Sequence, residues 1–102
     1  MESKKNDRIE GKLRWELLPI PLMEKLVEVY EFGAIKYGPN TWQELKDGED
    51  RYLGAMFRHL NAHKKGEKLD PESGLLHVQH MAWNAIAIMY LVLHKEENHD
   101  KC

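Results

Sequence analysis

Apolar positions recur every three or four residues along most of the chain, and three segments hold that rhythm long enough to predict helices. The first runs from about Pro21 to Tyr37, with Leu22, Leu26, Val29, Gly33 and Tyr37 as its stripe. Gly38-Pro39 ends it, since Gly accepts a left-handed cap and Pro cannot continue a helix. The second runs from about Arg51 to Lys65, with Asp50 as its expected N-cap and Leu53, Met56, Phe57 and Leu60 facing inward. The third runs from about Ser73 to His94. From Met81 to Leu93 it is apolar nearly all round, the mark of a helix covered on every side. Two other helices from the same chain cannot easily surround it, so the pattern predicts self-association. A polar segment, 1–12, precedes the domain and is expected to be disordered; a second polar tail, 95–102, follows it.

Composition agrees with a helical reading. The chain has four valines, five isoleucines and one threonine, while Leu, Ala, Glu, Lys and Met dominate. Its 102 residues make one domain, 13–94, and the expected fold is all-α: three helices per chain, assembling into a helical-bundle homo-oligomer. With 15 Lys+Arg against 17 Asp+Glu the net charge is −2, which disfavours nucleic acid or a membrane surface as partner. The longest nearly apolar run is too short for a bilayer, which needs about 20 residues. A polar start and a lone cysteine, Cys102, point to the cytoplasm.

Chemistry concentrates in the third helix. His77, His80 and Asn84 share one face with Ile88 and Leu91, so they point inward and must find partners. They are either core histidines bonded to backbone and to each other, or part of a metal or phosphate site, since neutral imidazole is a common ligand. Upstream, Asp70 and Glu72 can cap the helix or, with the histidines, hold a divalent cation. Glu28 and Glu31 lie three apart, able to bridge a cation or simply to face solvent. Lys36 can complement a helix dipole or neutralise a phosphate. Arg51 and Arg58, seven apart, suit a bidentate phosphate clamp if they are not merely surface residues, with His59 adjacent. Trp42 and Tyr37 can stack on a base or plug the core. The chain has no Cys-x-x-Cys pair, glycine-rich phosphate loop or Gly-x-Ser-x-Gly elbow, which argues against Rossmann and acyl-transfer chemistry.

Seven blocks in order carry a resemblance: Gly33-Ala34-Ile35-Lys36-Tyr37-Gly38, Asn40-Thr41-Trp42, Arg51-Tyr52-Leu53, Arg58-His59-Leu60, Gly66-Glu67, Asp70-Pro71-Glu72-Ser73-Gly74 and His77-Val78-Gln79-His80. Over roughly 13–93 the chain resembles the phage and prophage dATP/dGTP diphosphohydrolases, a branch similar to the MazG-like all-α nucleotide pyrophosphohydrolases. The resemblance implies a helical bundle that forms a homodimer or homotetramer. It implies hydrolysis of a purine (deoxy)nucleoside triphosphate to monophosphate and pyrophosphate with a divalent cation: Mg²⁺, Mn²⁺ or Co²⁺. A binder that sequesters a nucleotide signal without cutting it is the alternative.

The MazG pattern pairs Glu-x-x-Glu with Glu-x-x-Asp. Here Glu28-x-x-Glu31 stands for the first half, and His77-x-x-His80 with Asn84 stands where the second would be. The expected cation ligands are Glu28, Glu31, Asp70, Glu72, His77 and His80, with Glu31, Glu72 and His80 catalytic. Lys36, Tyr37, Trp42, Arg51, Arg58 and His59 are expected to bind substrate, and Asn84 to orient a ligand histidine.

Overall fold

A computed structural model describes residues 11–101 of the chain, with side chains described as far as Lys95. The expected disordered tail therefore falls outside the described residues except for Gly11 and Lys12. Among the described residues there are three α-helices and no strand: α1 (Ile20–Tyr37), α2 (Gly48–Lys64) and α3 (His77–Lys101). Short 3₁₀ turns cover Trp15–Leu17 and Thr41–Glu44. No helix among the described residues is long and apolar enough to cross a membrane.

The first helix ends where the sequence places its stop. Gly38 takes φ +98°, a conformation that side chains resist, and its N–H donates to the Ala34 carbonyl before Pro39. The second helix begins at Gly48, three residues earlier than expected. Asp47, not Asp50, holds the cap position, with a left-handed backbone and no side-chain cap bond. Glu49 and Asp50 lie inside the first turn, where carboxylates favour the positive end of the helix dipole. Gly66, at φ +99°, closes α2: the Lys65 N–H reaches the Asn61 carbonyl and the Glu67 N–H that of Ala62.

The third helix starts at His77, four residues later than expected. Residues 65–76 fold back on themselves instead. The Asp70 N–H donates to the Leu75 carbonyl at 2.7 Å, the His77 N–H to the Lys68 carbonyl at 3.0 Å, and Leu69 bridges Leu76. Asp70 caps this turn rather than the helix, its Oδ2 accepting the Ser73 N–H. The helix is capped by Gln79, whose Oε1 accepts the Leu76 N–H from the third helical position. Downstream, the helix continues to Lys101 through the segment expected as a polar tail.

α3 packs along α2 and, over a shorter stretch, on α1. The second helix presents only part of the expected face: Met56 and Leu60 turn inward, while Leu53, 40% exposed, and Phe57 do not. Tyr52 is buried and Met56, His59 and Leu60 are half-buried, whereas Phe57 is 57% exposed. Rings knit the centre together: Trp42 and Trp83 meet edge-on at 5.7 Å, and Tyr30, Tyr52 and Tyr90 pack against them at 4.9–5.9 Å. Tyr52 Oη donates to the Trp42 carbonyl at 2.6 Å and fastens the interhelix loop to α2.

Much apolar surface has no partner in the single chain. Trp15 is 67% exposed, Leu17 69%, Ile35 87%, and Met89 and Leu93 remain open on α3. The radius of gyration is 16.9 Å, against about 13 Å for a compact chain of this length.

Candidate active site

The end of α1, the loop that follows it, α2 and the start of α3 enclose a cleft of about 1090 Å³. Residues distant in sequence converge on it because α1 and α2 each present one helical face and the 65–76 turn lays a carboxylate pair across the opening. Lys36, Arg51 and Arg58 supply positive charge to its walls. Glu31, Asp70 and Glu72 supply negative charge, and His59 and His80 supply imidazole. Trp42 lines the cleft while packing into the aromatic centre, so the side chain that plugs the core also borders the cleft. Tyr37 lines it from an exposed position.

Two residues expected at the site stand outside the cleft lining. Glu28 faces α3, its Oε1 accepting from Gln79 Nε2 at 2.9 Å, with Lys25 at 3.6 Å from its Oε2. His77, 3% exposed, lies behind the wall. Asn84 is buried as expected, but its Nδ2 donates to the His80 carbonyl at 2.7 Å, not to an imidazole.

The histidines form a connected group. His59 Nδ1 lies 2.8 Å from His77 Nδ1, and His77 Nε2 lies 2.8 Å from Glu67 Oε1. His80 Nε2 lies 2.7 Å from Ser73 Oγ and 3.8 Å from Asp70 Oδ2. The His59 and His80 rings stack at 4.6 Å. One ligand atom each from His59, Asp70 and His77 falls within 4.8 Å of the others. This brings His59 into the donor group, although the sequence reading gives it to the substrate.

Charge is tuned accordingly. Burial lowers the His59 pKa, and His80 and His77 beside it lower it further. Burial also lowers that of His80, against the opposing pull of Asp70. Burial alone would raise the Asp70 pKa, but the bonds from Ser73 and the nearby imidazoles overcome it, and the net shift is downward. Lys36 bonds the Glu72 carboxylate, which raises its pKa and holds it charged across the cleft mouth.

Sequence reasoning assigns no role to Glu67, Ser73 or Gln79, yet each fixes a site residue. Gln79 alone carries a recognisable signal, a glutamine three residues into a helix.

Fold and site together define an all-α protein with a cleft lined by lysine and arginine side chains, carboxylates and imidazoles. The family of the dATP/dGTP diphosphohydrolase N-terminal region matches residues 2–101, and the chain belongs to that family. A dATP/dGTP diphosphohydrolase of Salmonella phage PMBT28 is 32% identical over 92 residues, covering 90% of this chain and 31% of the relative. The chain thus spans about a third of the length of the curated relative it matches. No solved structure matches significantly.

Proposed function

We propose that the protein is a nucleoside triphosphate pyrophosphohydrolase that acts on purine (deoxy)nucleotides with a divalent cation and releases monophosphate and pyrophosphate. The observation that carries this reading is the convergence of Lys36, Arg51 and Arg58 with Glu31, Asp70, Glu72 and His80 on one cleft large enough for a nucleotide. The family, and the activity for which the phage relative is named, support it. Arginine forks bind phosphate oxygens bidentately, and Lys36 contributes a point charge once a phosphate displaces Glu72. Trp42 and Tyr37 offer ring faces to the base. His80, kept neutral by burial, can accept a proton from an attacking water through Nε2 in exchange for its Ser73 partner. The carboxylate- and imidazole-rich end of the cleft fits a divalent cation, which when bound would offset phosphate charge. The unpartnered apolar faces support assembly into a homo-oligomer.

One observation favours a second reading, a nucleotide sponge. Glu28 is turned away toward Gln79, so the Glu28-x-x-Glu31 pair is not assembled in the cleft. Incubation of pure protein with a panel of nucleotides and Mg²⁺, Mn²⁺ or Co²⁺ tests both. New monophosphate and pyrophosphate establish a hydrolase. Nucleotide recovered intact on denaturation establishes a sponge and overturns the hydrolase reading.

A further inference from the structure

The His59–His77 contact constrains its own protons. Glu67 Oε1 is an acceptor, so His77 meets it with Nε2–H, and in that tautomer Nδ1 is left as a lone pair. His59 Nδ1, 2.8 Å away, must then donate to it. Two nitrogens bound at about 2.1 Å to one ion stand about 3.0 Å apart where they subtend a right angle and about 3.4 Å apart in a tetrahedral shell. The pair, 2.8 Å apart, therefore needs to open only slightly to become one edge of a coordination shell, with Asp70 in reach as a third donor. A carboxylate behind the imidazole, on the nitrogen opposite the ligand atom, is the arrangement that orients metal-binding histidines and raises their basicity.

We propose that His59 Nδ1, His77 Nδ1 and a carboxylate oxygen of Asp70 form a binding site for a borderline transition-metal ion such as Co²⁺ or Zn²⁺, with Glu67 as the positioning residue for His77. The ion replaces the shared proton, and the His59 ring stays neutral with its proton on Nε2. Two imidazoles and one carboxylate select such ions over Mg²⁺, which prefers an all-oxygen shell with several waters. His59 and Asp70 line the cleft and give the ion a path in; buried His77 closes the site behind. The inference refines the cation of the proposed hydrolase, but ion binding needs no nucleotide and is measured without one.

Untagged, chelator-treated protein titrated with Co²⁺ should develop the visible absorption of a bound ion and saturate at one ion per chain, with Mg²⁺ in large excess failing to displace it. Glu67 is exposed, so Glu67→Gln should keep the circular dichroism of the wild type and weaken Co²⁺ binding about 10- to 100-fold. His59→Ala should abolish binding. His63 lies four residues after His59 and could make a surface pair with it; His63→Ala should change nothing. Absent saturation in the wild type, binding that survives both His59→Ala and Glu67→Gln, or loss in His63→Ala would each overturn the site. Saturation with Co²⁺ through these residues and no cut nucleotide would keep the site and discard the hydrolase. Hydrolysis with Mg²⁺ and no Co²⁺ saturation would do the reverse.

Discussion

His59 and His80 lie face to face, their ring centroids 4.6 Å apart and their planes 6° from parallel. Two imidazolium ions cannot share that stack cheaply, and both rings are held below their ordinary value of 6.5, first by burial. The unfolded chain therefore binds more protons than the folded one in the window between the depressed folded values and 6.5. Stability should be full above pH 6.5 and fall as pH drops through that window. Melting temperature measured from pH 8 to pH 5 checks this, and His59→Gln should flatten the curve. A wild-type melting temperature that rises on acidification would refute the stacked neutral pair. Asp70, shifted down, adds a second loss below its ordinary value of 3.8.

Arg58→Lys should weaken nucleotide binding roughly ten- to a hundredfold, because lysine cannot reproduce the planar fork. Isothermal titration checks the affinity, and turnover at saturating nucleotide checks whether the loss extends to the transition state. Wild-type behaviour in both would make Arg58 a surface residue and displace the phosphate site.

The apolar faces predict an assembly. Sedimentation at micromolar concentration should give a mass above the 12.0 kDa of one chain. Phe57 is exposed in the single chain, so Phe57→Glu should leave helicity intact while shifting the protein toward monomer. A stable wild-type monomer would show that these faces serve something other than self-association.

Tyr52 ties the interhelix loop to α2 through its bond to the Trp42 carbonyl. Tyr52→Phe removes that hydrogen bond, at a cost of about 0.5–1.5 kcal/mol. Urea denaturation checks the magnitude. Because Trp42 also lines the cleft, nucleotide affinity should fall with it.

The three helices, the stop at Gly38-Pro39 and the inward face of His77, His80 and Asn84 were legible in the sequence, since each rests on local periodicity or on the backbone freedom of one residue. Family membership was legible as well, because ordered motif blocks survive without any knowledge of their contacts. The starts of α2 and α3 were not. Asp50 and Ser73 both look like helix starters, but the Asp47 backbone and the Leu69–Leu76 bridge set the boundaries through bonds made across a turn. Partners were not legible either. Helical spacing puts Glu28 and Glu31 close together, yet Gln79, fifty-one residues on, claims Glu28 and leaves Glu31 to the cleft. Spacing likewise joins His77 to His80, whereas the packing of α2 on α3 joins His77 to His59 and to Glu67. A one-dimensional pattern fixes which face of a helix a side chain occupies. Which atom it meets there depends on how two helices cross and how the chain between them folds back, and only the tertiary structure decides that.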